Sequence, residues 1–467
     1  MNVLEATKSA YMNSSHKVLK LHFPELDLQV ENNQIYGESL RLTERLVDGK
    51  RFELVGCISS LLEIQINGLV QDVKGKRIEV SITADETEEI PLFHGIVDSA
   101  KKQSNKNFKQ IIAYDELYTK GNIDVAAWYN SLTFPISQRD FRYSLFAYIG
   151  LEQVERDLPN DSMTITKEYA PTTLQAISVI KAICQINGAF GIINRYGKFE
   201  YRILTDFQEN VGAYPPLYPP FYPGVGAVEG EDGTEAKAIG FYKKVDYEEY
   251  SIKPVEKVTI RQTDSELGVT YGEGTNNYII QGNFFTLNKS ESELATIAQN
   301  IYGSISGVEF VPFSAENSGY PYIEVGKDAV SYYAYDFEDS QKAPTEDIYT
   351  EKMFYVFKRT LSGIQALKDV YSVQGEEYQT EFITDVSTRV EQIKQNLSVE
   401  VNNQLASNIS KYTYTKDEMA ERYYTKQEVE ELIKKALEEH WLSVDELPEG
   451  HENTDKWYVV QGETVVE

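Results

Sequence analysis

The residue types most able to do chemistry are sparse in this sequence. It has two cysteines and five histidines among 467 residues, too few for a disulfide framework or a four-cysteine zinc site. Cys57 and Cys184 lie in apolar stretches, so we expect two buried free thiols in a chain that folds in a reducing cytoplasm. The closest histidines, His16 and His22, do not have a metal-binding spacing. We therefore predict no metal site and no cofactor.

Motifs of common catalytic and nucleotide-binding sites are also absent from the sequence. It contains no His-Glu-x-x-His zinc helix, no Gly-x-Ser-x-Gly elbow, no P-loop and no dinucleotide fingerprint. Gly272-Glu273-Gly274 is an isolated glycine pair that we expect in a turn. Residues 85–89 are acidic but lack the glycine and the spacing of a calcium loop. We therefore predict no catalytic residues and a chain that is not an enzyme.

The composition indicates a soluble, folded chain with an acidic surface. Lysine and arginine number 45 against 73 acidic residues, a net charge of −28, which disfavours wrapping around nucleic-acid phosphates. Apolar residues make up 41% of the chain, but no run is long enough to span a membrane and no secretion signal is evident. The 33 tyrosines and 20 phenylalanines favour large, half-polar contact surfaces.

Hydrophobic periodicity predicts a mainly β chain with an α/β insertion. The predicted organisation is two small antiparallel β-barrel-like units, an inserted unit, a helical segment and a terminal β module. The predicted ranges are 1–113 for the first β-barrel-like unit, 114–205 for the inserted α/β unit, 206–254 for a Pro/Tyr-rich connecting loop with return strands, 255–380 for the second β-barrel-like unit, 381–440 for a helical oligomerisation segment and 441–467 for a small β appendage.

Local signals place several elements within these units. Ser137 and Gly150 are expected to start and end one helix, and Thr172 or Thr173 to cap a second that ends near 187–188. A hairpin should turn at 194–197. The other signals are a capping box at Ser290 and Glu293, a hairpin turn at Asn67-Gly68 and a strand at 322–326.

A proline- and tyrosine-rich stretch begins at Tyr214. Five of the chain's 15 prolines lie between Tyr214 and Gly224, which excludes a ladder strand there. The stretch either packs its aromatic side chains on its own barrel or forms a contact arm on a neighbouring chain. The residues of this possible inter-subunit contact loop are Tyr214, Leu217, Tyr218, Phe221 and Tyr222.

A seam of apolar residues marks the helical segment. The seam is close to a heptad repeat, and residues 376–447 contain no glycine or proline. It could be one amphipathic helix on its own domain, but its length favours a parallel, coiled-coil-like bundle of several chains. The predicted oligomer interface is Val386, Val390, Ile393, Leu397, Val401, Leu405 and Ile409.

The order of these parts resembles a known family. A strand-rich unit is followed by the helix and hairpin of 182–199, the helix at 294–303, the segment Phe310-Val311-Pro312 and the turn at 323–328. Together they resemble the baseplate-hub or tail-associated proteins of the phage tail tip, over about residues 10–375. The repeat units at 414–419 and 424–429, with the ending at 447–459, are similar to segments of tail-fibre and appendage proteins.

The resemblance implies a virion structural protein and not a free enzyme. Hub proteins of this kind form homotrimers in which two barrel-like units per chain make a pseudo-sixfold ring. That ring adapts the hexameric tail tube to a threefold tip and forms part of the channel for tape measure and DNA. The implied partners are distal tail or tube proteins, the tape measure protein and a fibre or spike at the C-terminus. DNA would be bound only in transit during ejection.

The resemblance also implies a place, and it leaves two alternatives open. The protein would be made in the host cytoplasm and end in the virion, at the tail tip or baseplate. A cell-wall-degrading hydrolase in 114–205 is one alternative, although the chain shows no lysozyme-like or peptidase extension after its second β unit. A receptor-binding tail-fibre protein is the other. In that case Trp441 and Trp457 would contact a surface glycan and not fill a small core.

Overall fold

A computed structural model describes most of the chain. The described residues are 3–13, 15–47, 56–103, 107–167, 170–214, 238–262, 267–335 and 349–375, with the strand backbones of 441–444 and 457–460. The chain divides into two units, Met1–Asn396 and Leu397–Glu467. The described elements are mainly strands, so the prediction of a mainly β protein is confirmed. None of the helices in these ranges is long and apolar enough to cross a membrane.

The first β unit contains seven strands after a short helix. In chain order these elements are α1 (Glu5–Met12), β1 (Lys17–Phe23), β2 (Leu28–Glu31), β3 (Arg41–Arg45), β4 (Leu61–Asn67), β5 (Arg77–Ala84), β6 (Ile90–Lys102) and β7 (Phe108–Tyr114). Alternate residues of β1, β4 and β5 are buried, which is the period-two pattern that the sequence shows. The strands lie side by side in the order β3-β4-β7-β6-β5-β1-β2.

The sheet of the first β unit curls but does not close by itself. Ile35, just after β2, forms an isolated antiparallel bridge with Ile66 of β4, and the Tyr36 N–H donates to the Gln65 carbonyl at 3.0 Å. The described strands make no closed barrel. Instead β4 also pairs with β3, and β3 pairs in turn with a strand of the second β unit. The expected hairpin at Asn67-Gly68 is wrong, since β4 pairs with β3 and β7 and not with β5.

The insertion adds helices and short strands. They are α2 (Glu116–Gly121), α3 (Ala126–Ser131), β8 (Ile136–Ser137), α4 (Gln138–Ile149), β9 (Thr164–Ile165), α5 (Ala176–Asn187), β10 (Phe190–Ile193) and β11 (Phe199–Arg202). The Ser137 hydroxyl caps α4 by accepting the Asp140 N–H at 3.0 Å, and Gly150 ends it at a φ of 64°, as predicted. The hairpin of β10 and β11 is confirmed too.

The start of α5 differs from the expected one. The helix begins at Ala176, with Gln175 and not Thr172 or Thr173 at the N-cap position. Residues just before it are engaged elsewhere, because the Val125 N–H donates to the Leu174 carbonyl at 2.7 Å. Leu174 and Gln175 therefore run in extended form beside the chain before α3, and the helix starts after them.

The second β unit contributes the remaining elements of the larger unit. They are β12 (Gln208–Tyr214), β13 (Ala238–Tyr247), β14 (Lys257–Arg261), β15 (Val269–Gly272), β16 (Asn277–Gln281), α6 (Glu291–Ile305), β17 (Phe313–Ser318), β18 (Asp328–Tyr335), β19 (Tyr349–Tyr355), β20 (Lys358–Ser362) and β21 (Lys368–Val373). The predicted capping box of α6 is confirmed: the Glu293 carboxylate accepts the Ser290 N–H at 2.9 Å, and the Ser290 hydroxyl accepts the Glu293 N–H.

Two sheets divide these strands. Seven of them lie in the order β19-β18-β12-β13-β17-β21-β20, and β20 pairs with β3, so both β units share one 14-stranded sheet. The other three, β15-β14-β16, form a separate sheet beside α6. This smaller part packs on the insertion: the Asn283 side-chain amide donates to the Ala182 carbonyl at 3.1 Å, and the Phe141 and Phe285 rings lie 5.4 Å apart.

The smaller unit is described only by two short strands. They are β22 (Trp441–Val444) and β23 (Trp457–Val460), which run parallel with Trp441 opposite Trp457.

Candidate functional site

The candidate site is a largely buried cluster of charged side chains where the two β units and the insertion meet. We call it the arginine cluster. It consists of Arg195, Arg202, Arg359, Lys327, Glu44, Glu200, Glu324 and Asp369. These eight side chains come from β3, the β10–β11 hairpin, the loop 319–327, β20 and β21. Their four basic and four acidic groups balance in charge.

Arg359 is the centre of the cluster. It is fully buried on β20, in register with Glu44 on β3. Its Nε and Nη2 atoms donate to the two Asp369 carboxylate oxygens at 2.8 and 2.9 Å, and its Nη1 lies 3.2 Å from Glu44 Oε2. The remaining donors reach the carbonyls of Ile323 at 2.8 Å and Tyr320 at 3.1 Å. One guanidinium thus joins the first β unit, the second β unit and the loop 319–327.

The insertion supplies two further arginines to the same loop. Arg195, in the turn of the β10–β11 hairpin, donates to the Ile323 carbonyl, and its Nη2 lies 3.9 Å from Glu44 Oε2. Arg202, on β11, donates to the Val325 carbonyl and pairs with Glu324 at 2.9 Å. The hairpin is therefore fixed to the loop by charged hydrogen bonds.

These contacts explain why residues 322–326 do not form the expected strand. A strand would pair its carbonyls with a neighbouring ladder, but here the carbonyls of Ile323 and Val325 accept from arginine side chains. The segment is a turn-rich loop, with Gly326 at a φ of 79°. The expectation of a strand there is wrong, because arginine side chains from elsewhere in the chain, and not a neighbouring strand, donate to these carbonyls.

The pKa values of two carboxyl groups in the cluster, Glu324 and Asp369, are shifted in opposite directions. Burial raises the pKa of Glu324, but the charges of Arg195 and Arg202 outweigh burial and hold that pKa well below its usual range. Burial likewise raises the pKa of Asp369, and there Arg359 offsets the rise only in part. The pKa of Asp369 therefore stays above its usual value even with Arg359 in contact.

Several side chains outside the cluster also have shifted pKa values. Cys57 and Cys184 are free, buried thiols, as predicted, and they are in hydrogen-bond contact. Burial raises the pKa of Cys57 well above its ordinary value. Burial raises the pKa of Asp115 to about 7. Burial also lowers the pKa of His94, whose Nε2 lies 3.8 Å from Glu79 Oε1. The described residues contain no group of side chains able to hold a metal ion.

The residues predicted as interfaces lie largely outside the part of the chain that the structure describes. Tyr214 ends β12, in register with Phe241 of β13. The other contact-loop residues, Leu217, Tyr218, Phe221 and Tyr222, lie outside the described residues. So do all seven residues of the seam: Val386, Val390, Ile393, Leu397, Val401, Leu405 and Ile409. Both interfaces stay predictions.

Sequence reasoning missed the arginine cluster. A signal was present, since Arg359 and Leu361 are two residues apart on β20 and both are buried on the same face. A charged residue in an apolar alternation indicates a buried ion pair.

Three solved structures are similar in fold to this chain. A tail protein from Neisseria meningitidis aligns with a TM-score of 0.44 and 11% identity, over 76% of this chain and 96% of that one. A tail protein of a Shewanella oneidensis prophage gives a TM-score of 0.46 and 10% identity, over 76% and 97%. A prophage tail protein from Listeria monocytogenes gives 0.42 and 11%, over 82% and 98%. All three of these structures carry the name of a tail protein.

No family model and no curated protein matches the sequence.

Proposed function

We propose that this chain is a non-enzymatic structural component of a phage or phage-like tail tip, a trimeric baseplate hub. In this role it adapts a hexameric tail tube to a threefold tip and lines part of the channel for tape measure and DNA. The observation that carries the proposal is the pairing of β3 with β20, locked by Arg359. It makes two β units behave as one rigid block.

A rigid pair of β units suits a ring. Three copies supply six β units, which is what a match between threefold and sixfold symmetry requires. Each unit must hold its angle to the other within a copy, or the ring would not close. Buried ion pairs such as Arg359 with Asp369, at 2.8 Å, are geometrically demanding and so favour one fixed arrangement.

The negative net charge of the chain suits a channel through which DNA passes. A net charge of −28 repels phosphates and reduces sticking of a polyanion in transit. The seam from Val386 to Ile409 would bring three chains together, and the contact loop after Tyr214 would lie on a neighbouring copy. Distal tube proteins above and a fibre or spike at the C-terminus complete the proposed set of partners.

The mass of the intact chain in solution tests the proposal. We expect a trimer by mass photometry, and ring-shaped particles with a central hole by negative-stain electron microscopy. Replacing Ile393 and Leu397 by aspartate should weaken the trimer, because each charge would be buried in the seam. Aspartate at Thr388 and Gln395, on the outer face of the same heptads, is the matched control. A stable monomer at micromolar concentration would refute the proposal.

A second candidate function is receptor binding. The backbones of β22 and β23 place Trp441 and Trp457 opposite each other in a parallel pair. In this second role Trp441 and Trp457 contact a surface glycan. Binding of the full chain to host surface glycan, lost in a Trp441→Ala and Trp457→Ala variant, would support it. Cell-wall zymography of the same preparation tests the hydrolase alternative, for which we expect no cleared zone.

A further inference from the structure

Two histidines and a glutamate form a row across three strands of the first β unit. His94 on β6 is in register with Glu79 on β5, and Glu79 is in register with His22 on β1. We call these three residues the histidine row. The row ends at the insertion, because the His94 ring lies against Gly197 in the turn of the β10–β11 hairpin. An added Cβ at Gly197 would lie 2.6 Å from His94 Cε1, so the ring and the turn are in close contact.

The His94 ring is enclosed but poorly hydrogen-bonded. Its side chain is 14% exposed, and its Nδ1 has no hydrogen-bond partner among the described residues. Two carboxylate oxygens lie near the ring, Glu116 Oε1 at 3.8 Å from Nδ1 and Glu79 Oε1 at 3.8 Å from Nε2. Both distances are too long for a hydrogen bond. A neutral imidazole needs only one acceptor, but an imidazolium has two N–H donors to satisfy.

The two carboxylates are also in contact with other cationic side chains. Glu79 Oε2 lies 3.0 Å from His22 Nδ1, and Glu116 Oε1 lies 3.9 Å from Arg77 Nε. Moving either carboxylate towards His94 would disturb one of these contacts. Glu116 is the first residue of α2, so its movement would also shift the start of that helix.

The charged groups around the ring act on it in both directions. Burial lowers the pKa of His94, the charge of Glu116 raises it, that of Arg77 lowers it, and those of Glu79 and Glu25 raise it. Glu25 reaches this position because its carboxylate accepts the Arg77 N–H at 3.1 Å. Burial outweighs the three carboxylates, and the neutral ring is favoured in the folded chain.

The charged side chains of the hairpin turn are directed elsewhere. Arg195 donates to the Pro321 carbonyl and, at 3.4 Å, to the Pro91 carbonyl of β6. Lys198 lies 2.9 Å from Glu152. Arginine stays charged throughout the physiological pH range, so the contact with Pro91 holds one side of the turn at any such pH. A change at the His94 ring would therefore loosen the tip of the turn and not the whole hairpin.

We propose that His94 is a proton-sensitive latch between the first β unit and the insertion. With a neutral ring, the tip of the β10–β11 turn and the start of α2 pack on β6. At acidic pH the ring takes up a proton, and its two donors face carboxylates that are too distant to accept them. The turn and the start of α2 then move away from β6, so that water solvates the charge. The latch depends on the fold of one chain and not on the tail role proposed above.

Hydrogen–deuterium exchange of the intact chain at pH 7.5 and pH 5.0 tests the latch. The opening of peptides that cover residues 190–202 is compared after correction for the intrinsic exchange rate at each pH. In the open state the ring has the ordinary histidine pKa of about 6.5, which limits the gain in opening to about thirtyfold at pH 5.0. We expect the ratio of opening at pH 5.0 to opening at pH 7.5 to be about three to thirty times larger in the unaltered chain than in a His94→Asn variant.

The controls separate the latch from other effects of acid. His22→Asn removes the imidazole at the other end of the histidine row, two strands from β6, and should keep the full response. The buried carboxyl of Asp115, whose pKa is raised to about 7, responds to pH in the opposite sense, but it is present in every chain and cancels in the comparison.

Two results would overturn the latch. One is an equal ratio of opening in the unaltered chain and in His94→Asn, and the other is loss of the response in His22→Asn. Circular dichroism melting at pH 7.5 checks that each variant is folded, and His94→Gln takes the place of His94→Asn if the latter is not. Neither result bears on the proposed tail role, which the mass of the chain in solution tests separately.

Discussion

Removing the Arg359 guanidinium should destabilise the larger unit severely. In an Arg359→Met variant the side-chain volume is kept, but Asp369, which is fully buried, loses two hydrogen bonds of 2.8 and 2.9 Å. Glu44 loses its 3.2 Å contact, and two carbonyls of the loop 319–327 lose their donors. Breaking a buried ion pair from one side costs about 3–5 kcal/mol. We expect a loss of that size in the free energy of unfolding at pH 8.

The loss should shrink at low pH, and the sign follows from Asp369. Burial raises the pKa of Asp369 in the folded protein, and Arg359 opposes that rise. Without Arg359 the folded-state pKa climbs further above the unfolded value of about 3.9. The folded variant then holds a proton that the unfolded chain releases, so its stability falls as pH rises above about 4. The gap between the unaltered chain and the variant should therefore be smaller at pH 5 than at pH 8.

Urea unfolding followed by far-ultraviolet circular dichroism at both pH values measures this gap. Arg139→Met is the control, because Arg139 pairs with Asp157 at 2.6 Å on the surface, where Asp157 is 80% exposed. That variant should lose less than about 1 kcal/mol. Adding Asp369→Asn to Arg359→Met should recover part of the loss at pH 8. A gap under about 1 kcal/mol that is equal at both pH values would refute the role of Arg359 as the partner that keeps Asp369 charged.

Two further outcomes are expected. Gly188→Ala should lower the free energy of unfolding by about 2–4 kcal/mol, since Gly188 has a φ of 62° and an added Cβ would lie 2.8 Å from Ile305. Gly150→Ala is the control and should lower it by about 1 kcal/mol, because Gly150 has a similar φ of 64° but an added Cβ would lie 3.4 Å from the Lys120 ammonium alone. Thermal melting compares the two variants, and equal losses would contradict tight packing of α5 on α6. Asp115→Asn should make stability less dependent on pH between pH 4 and pH 7. The folded-state pKa of Asp115, about 7, makes the unaltered protein lose stability as pH rises through that range. Urea unfolding midpoints at pH 5 and pH 8 measure the difference, and an equal change of midpoint in the variant and the unaltered protein would contradict the prediction.

Local signals in the sequence were sufficient for local structure. The capping box of Ser290 and Glu293 predicted the start of α6, and Ser137 with Gly150 predicted both ends of α4. Such features depend on hydrogen bonds within three or four residues, so the sequence window that contains them also contains their cause. The start of α5 failed for the opposite reason: the partner of Leu174 is Val125, a residue distant in sequence.

The joining of the two β units could not be predicted from periodicity. Alternation in β3 and in β20 indicates a strand with one buried face, but it does not name the partner strand, and more than 300 residues separate Glu44 from Arg359. The expectation of two separate β-barrel-like units followed from treating each run of strands as its own sheet. The pairing of β3 with β20 replaces that arrangement with one open, shared sheet.

The buried arginines indicate which parts of the chain come together. Arg195, Arg202 and Arg359 are each nearly or fully buried, and each ends on a carbonyl of the same loop. Carbonyls in a loop need donors that no ladder supplies, and the terminal guanidinium nitrogens of the three arginines supply them, whereas Nε of Arg195 and Nε of Arg202 have no hydrogen-bond partner among the described residues. An arginine on the apolar face of a strand therefore indicates a loop brought from elsewhere in the chain. In this protein that loop is the point at which the β10–β11 hairpin, β3 and β20 are held in one geometry.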